Sequence, residues 1–139
     1  MTMISRIFAE GIAVSEPADP RKSLGNWGER LAETHLARKG FRILERGFRV
    51  RSGEIDLIGE ERGELVFVEV RTRSSARFGD PLETIRDAKR RRILRAASCY
   101  LQSRAAWNRP CRFDLVAVRK GPSGIVEVEH VRDAFQADP

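Results

Sequence analysis

Apolar positions along the chain recur first with a helical period. Leu24, Leu31, Ala32 and Leu36 in "SLGNWGERLAETHLARK" predict a helix over residues 23–39, and Gly40 supplies its stop. The period then shortens to two. "FRILERGFRV" (41–50), "GEIDLIGE" (53–60) and "ELVFVEVRTR" (64–73) read as strands, the last two joined as a hairpin through a turn containing Gly63. "GDPLE" marks a helix start, with Asp80 as N-cap, Pro81 at the first helical position and Glu83 three residues after the cap; this helix is expected to run to about residue 103. Two further strands, "RFDLVAV" and "GIVEVEHV", flank the turn "RKGPS". The order αβββαββ predicts an α/β (α+β) domain with helices packed on a central mixed sheet. Residues 1–22, punctuated by Pro17 and Pro20, are expected to form a flexible tail ahead of a single domain spanning 23–135.

Two acidic residues interrupt this apolar pattern. Asp56 and Glu69 sit inside runs that otherwise read as buried strand, where a carboxylate is costly unless a cation accompanies it. If Glu60 pairs with Leu65 across a four-residue "ERGE" loop, Asp56 falls directly opposite Glu69 on one face and Glu54 opposite Arg71. Directly opposed Cβ atoms lie ~4.5–5.5 Å apart, close enough for two ionised carboxylates to repel or to share a divalent ion. Hard oxygen ligands on a partly hydrated site suit Mg²⁺ or Mn²⁺. The alternative in the same register is a solvated charge ladder of Glu54, Arg71, Glu69 and Asp56 with no metal.

Composition narrows the partner. The chain has 139 residues, 41% hydrophobic and 33% charged, enough for one ordinary core. Its 26 Lys and Arg against 20 Asp and Glu give +6 and a pI near 10.1, a balance that favours an anionic partner such as nucleic acid. Two cysteines, Cys99 and Cys111, without a CxxC spacing imply a reduced, cytoplasmic setting. No apolar run is long enough to span a membrane, and the start of the chain lacks a signal-peptide core, so no membrane association is expected.

The blocks "GNWGERLAETHLARKGFRIL", "GEIDLI", "VFVEVRTR", "FGDPLETIRDAKRRRILRAASCYL" and "RFDLVAV", in that order, resemble the YraN-like family, uncharacterised protein family 0102, over roughly residues 23–119. The resemblance implies a restriction-endonuclease-like fold, similar also to archaeal Holliday junction resolvases, and a metal-dependent nuclease core written Asp, then Glu-x-Lys. By position, Asp56 and Glu69 would be the central metal ligands and Glu29 of "WGER" the helix-borne acidic residue of the metal shell. Arg71 stands where the motif has lysine. An arginine keeps the positive charge and can grip phosphate in two places, but its pKa above ~12 excludes it as a proton acceptor at neutral pH.

Helix geometry leaves the auxiliary residues open. Lys89 falls within the apolar stripe of Leu82, Ile85, Ile93, Ala96, Ala97 and Tyr100, so it either snorkels to water or reaches the Asp56/Glu69 face and supplies the missing amine. Glu29 and Glu33 compete for the same helix-one edge; the resemblance selects Glu29. Arg86, Arg90, Arg91, Arg92 and Arg95 spread positive charge around helix two, as phosphate contacts or as a solvated face. Trp27, Phe78, Tyr100 and Trp107 are candidates for stacking on bases, Tyr100 being placed in the core by its stripe. His35 and His130 lack ligand spacing, and Asp114 is expected to pair with Arg112 or a helix-two base. Two functions follow as expectations. One is a Mg²⁺- or Mn²⁺-dependent endonuclease on DNA, structured or branched DNA included, with a homodimer as the form that would serve a branched substrate. The other is a catalytically inactive nucleic-acid-binding protein on the same fold.

Overall fold

The computed structural model of the chain describes residues 3–8, 20–73, 86–121 and 124–136. Its elements are β1 (Met3–Phe8), α1 (Pro20–Arg38), β2 (Arg42–Val50), β3 (Gly53–Glu61), β4 (Glu64–Arg73), α2 (Asp87–Ser103), β5 (Cys111–Lys120) and β6 (Val126–Phe135). The expected order is therefore present with one strand added in front. β1 pairs antiparallel with β6, Ser5 opposite His130, so part of the segment expected as a tail is an edge strand. The alternating "MISRIF" suits a strand, and β6 offers it an otherwise open edge.

Strands β6-β5-β4-β3-β2 form a five-stranded mixed sheet, extended by β1 to the order β1-β6-β5-β4-β3-β2. β4 and β5 are parallel and α2 lies between them in the chain; the other neighbours are antiparallel. Alternation along the strands splits the core in two. Val66, Val68, Val116, Val118 and Val128 pack with Trp27, Leu31, Ala32 and Leu36 of α1. Leu65, Phe67, Phe113 and Leu115 face the other way, against Ile93, Ala96, Ala97 and Tyr100 of α2. Trp27 is buried in this packing and is removed from the base-stacking candidates, whereas Trp107 is 58% exposed. Phe78 lies outside the described residues.

The hairpin register is the one read from the sequence, with Glu60 opposite Leu65. Its turn is tighter than the expected "ERGE" loop. Glu61 pairs with Glu64, leaving Arg62 and Gly63 as a two-residue turn with φ of 51° and 80°, the conformation that fits the strands' twist.

Helix α2 differs more. Arg86 is extended, with ψ of 145°, and the helix begins at Asp87 rather than at the expected Asp80 cap; Asp80, Pro81, Leu82, Glu83 and Ile85 lie outside the described residues. Lys89 is consequently in the first turn of α2, at the helix end, instead of midway along an apolar stripe.

The start of β3 is pressed against α2. A Cβ built on Gly53 would lie 2.0 Å from the carbonyl oxygen of Arg92, a backbone atom that cannot rotate away. Gly53→Ala should therefore destabilise the fold by about 3 kcal/mol, lowering Tm by roughly 10 °C, because overpacking against backbone forces the hairpin and helix apart. A calorimetric scan checks this; an unchanged Tm would show that the contact is slack.

Candidate functional site at the fork between β3 and β4

The ladder between β3 and β4 runs from Glu61–Glu64 only as far as Leu57–Val68. Beyond that point β4 stays with β5 as far as Arg73, and β3 stays with β2 down to Gly53. The sheet forks at Asp56. Its carboxylate replaces the missing ladder partner, accepting a hydrogen bond of 2.8 Å from Val70 N–H at Oδ2. The expected direct opposition of Asp56 and Glu69 is thus corrected to a bridge across a fork, which still brings the two carboxyl groups within hydrogen-bond reach. Glu54 does not face Arg71. It lies opposite Arg49 in the β2–β3 ladder and pairs with it at 3.1 Å, so the alternative, a four-residue charge ladder, does not form.

Each helix contributes from its own side. Glu69 follows Phe67 on the α2 face of β4 and is only 4% exposed, and Lys89 in the first turn of α2 places Nζ 2.5 Å from Glu69 Oε1. The Lys89 side chain is itself 53% exposed, so it stands between the buried carboxylate and solvent. From the α1 side comes Glu29, close enough to raise the pKa of Asp56 and to feel Glu69 in return. Gly28 lets α1 approach, since a Cβ there would overlap the Thr72 side chain of β4. The competition between Glu29 and Glu33 is resolved by Arg46, which binds Glu33 through two nitrogens away from the fork. Glu29 also lines a cleft of about 430 Å³ with Asn26, Arg30, Glu33, Arg46 and Leu57.

The electrostatics are those of a site short of positive charge. Burial pushes the Asp56 carboxyl up to about 8, and the charges of Glu69 and Glu29 add to the rise against the opposing Val70 N–H bond. Glu29 is also raised, by burial first and then by Glu54 and Glu69. Among the described residues no three His, Cys, Asp or Glu side chains stand close enough together to hold a metal ion. Two convergent carboxylates with a third nearby are the oxygen-rich, open donor set that Mg²⁺ or Mn²⁺ takes together with water.

The remaining expected residues separate by position. Arg71 lies two residues beyond Glu69 on the same strand, opposite Ala117 of β5, and is half-buried. Arg86, Arg91, Arg92 and Arg95 are exposed on or next to α2, whereas Arg90 is partly buried and bonds to Asp87 at 3.0 Å. Among the described residues no carboxylate pairs with Arg91, Arg92 or Arg95. Most arginines of β2, β5 and β6 do pair, including Arg46, Arg49, Arg112 and Arg132.

One cation was not singled out from the sequence. Exposed Arg51 lies in the turn before Gly53, whose backbone abuts that of Arg92 in α2, which brings a further basic residue near the helix. The "RSG" turn hinted at it only through the glycine.

Asp114 is fully buried and pairs with Arg112 as expected, but its other partner is His130 of β6 rather than a base of α2.

No described helix is long and apolar enough to cross a membrane. The profile of the uncharacterised protein family UPF0102 matches residues 28–118. A UPF0102 protein of Symbiobacterium thermophilum is 46% identical over 116 residues, covering 84% of this chain and 98% of the relative. Another, from Syntrophotalea carbinolica, is 44% identical over 118 residues, covering 85% and 95%. A third, from Frankia alni, is 44% identical over 115 residues, covering 83% and 96%. The matched span includes α1 from Gly28 onward, both arms of the fork and the first turn of α2. The chain that carries this forked acidic site belongs to uncharacterised protein family UPF0102.

Proposed function

We propose that this protein is a divalent-metal-dependent nuclease that hydrolyses phosphodiester bonds in DNA, with structured or branched DNA as the preferred substrate. The observation that carries the reading is the meeting of Asp56 and Glu69 at the fork, with Glu29 reaching it from one helix and Lys89 from the other. Opposed buried carboxylates are unfavourable neighbours, and a protein keeps them together where a bound cation offsets the repulsion. Asp56 and Glu69 would hold Mg²⁺ or Mn²⁺, Glu29 completing the shell directly or through water.

When bound, such an ion supplies Lewis-acid stabilisation of phosphoryl oxygens and lowers the pKa of water. The chain's own groups divide the remaining work. Lys89 presents an ammonium to the position where charge builds on the phosphate, and its exposed side chain can swing from Glu69 to that phosphate. Arg71, always charged, adds a planar contact to a neighbouring oxygen but takes no proton. Arg91, Arg92, Arg95 and Arg51 hold flanking phosphates without reading sequence.

Cleavage of a panel of linear, flapped and four-way DNA in Mg²⁺ or Mn²⁺, against an EDTA control, tests the reading. Metal-dependent cutting is expected, with the branched substrates preferred. DNA that binds but is never cut under either metal would replace this reading with the inactive binding protein.

A further inference from the structure

The last turn of α1 buries a histidine that the forked site does not use. His35 lies beside Leu31, Ala32 and Leu36 on the inner face of the helix and is 4% exposed. Neither of its ring nitrogens has a hydrogen-bond partner among the described residues. A neutral imidazole carries one N–H and one lone pair, so leaving both unmet inside a core already costs free energy. A charged imidazolium would bring two N–H groups and a full charge into the same place.

The surroundings oppose that charge. Arg38 and Lys39 at the end of α1 and His130 and Arg132 of β6 all disfavour a further cation at His35. The His130 ring meets His35 edge-on, with centroids 6.3 Å apart, and is itself held between Lys39 Nζ at 2.8 Å and Asp114 Oδ2 at 2.7 Å. Carboxylates of the neighbouring strands are engaged elsewhere, Glu61 of β3 with Arg112 and Arg132, and Asp114 of β5 with Arg112 and His130. From β2 and β4 the helix meets the apolar Ile43, Val66 and Val68. Burial first, and these cations second, lower the His35 pKa to about 4.

We propose that His35 is an acid-sensitive latch on α1, whose protonation releases the helix from the sheet. Two features make α1 the part that leaves. The sheet carries two separate cores, and the α2 side keeps its own, built on Ile55, Phe67, Phe113 and Tyr100. Once out of the core, a charged His35 stands with Arg38 in the last turn of α1, where the helix dipole favours cations. A released histidine titrates near 6.5 and the seated one near 4, so release takes up a proton between those values. The seated state is at full stability above pH 6.5 and loses it as pH falls toward 4. At pH 5 the ratio of released to seated helix should be roughly 30-fold higher than at pH 7.5. Glu29, on the same helix about 9 Å before His35, would leave the fork with it. That consequence for the site rests on the nuclease reading; the latch itself does not.

Tryptophan fluorescence reads the latch. The chain has two tryptophans, Trp27 buried in the α1 core and Trp107 exposed, so Trp107→Phe leaves a single reporter on α1. In that background the protein is titrated with urea at pH 7.5 and at pH 5, with and without His35→Phe, which keeps a ring against His130 but no titrating nitrogen. Between the two pH values the folding constant read at Trp27 should fall by roughly 30-fold more in the parent than in the variant. Amide exchange of the wild-type protein, followed per peptide and corrected for intrinsic rates, locates the change. The α1 peptides should be less protected at pH 5 than at pH 7.5 and should exchange ahead of the α2 peptides. If His35→Phe is misfolded by circular dichroism, this exchange comparison decides. A histidine serving only as core packing would give parent and variant the same pH dependence, or α1 peptides that lose no protection at pH 5 or exchange together with those of α2, and any of these results overturns the proposal.

Discussion

Asp56→Asn will melt at a higher temperature than the wild-type protein at pH 8 without metal, and will lose metal-dependent cleavage by ~10³-fold or more. The two effects share one cause. Asn keeps the geometry, since its amide oxygen can still accept the Val70 N–H and its amide nitrogen can donate to Glu69. It removes the charge that burial and Glu69 make unfavourable.

The sign follows from linkage. The Asp56 pKa is near 8 in the folded chain and near 3.8 when unfolded, so the folded state binds the extra proton between those values. The stability this group contributes is complete below pH 4 and is lost as pH rises toward 8. At pH 8 the substitution should return about 2 kcal/mol, less than the whole shift because Asp56 is partly open to solvent. Differential scanning calorimetry from pH 5 to pH 8 should show the two proteins diverging as pH rises. Parallel melting curves, or a variant that cuts as fast as wild type, would end the assignment of Asp56 to a strained catalytic site.

Lys89→Ala should cut cleavage by ~10²–10⁴-fold, while Arg71→Lys should change it little. Position decides between the two cations. The Lys89 ammonium is already 2.5 Å from Glu69 at the mouth of the site, so the amine that the strand motif would place at position 71 arrives from α2. A second readout separates this role from a structural one. Losing a cation that competes for Glu69 should tighten Mg²⁺ binding in calorimetric titration even as turnover falls. Weaker metal binding in Lys89→Ala, or a large gain in rate from Arg71→Lys, would return the lysine's task to β4.

Local patterns explain which parts of this arrangement were legible in the sequence. The β3–β4 register followed from alternation and a short turn, so placing Asp56 near Glu69 needed nothing more. The fork did not follow, because it depends on β3 remaining with β2 while β4 remains with β5, a choice made by partners distant in sequence. The Asp80-Pro81-Glu83 signal is a strong local helix start, yet Arg86 is extended and α2 begins only at Asp87. That shift is what moves Lys89 from a mid-helix position to a helix end. His35 and His130 carried no ligand spacing, and a row such as Asp114–His130–Lys39 is invisible until β5, β6 and α1 are brought together.

The fork also takes the site out of the sheet's own ladder. Past the Leu57–Val68 pair no backbone bond joins β3 to β4, so the separation of Asp56 from Glu69 is held by side-chain contacts such as that of Asp56 with the Val70 N–H and by the packing of Gly53 on the Arg92 carbonyl. Under the proposed metal site, a larger residue at position 53 would change the spacing of the two carboxylates and with it the ionic radius the site prefers, which metal titration of Gly53→Ala would read.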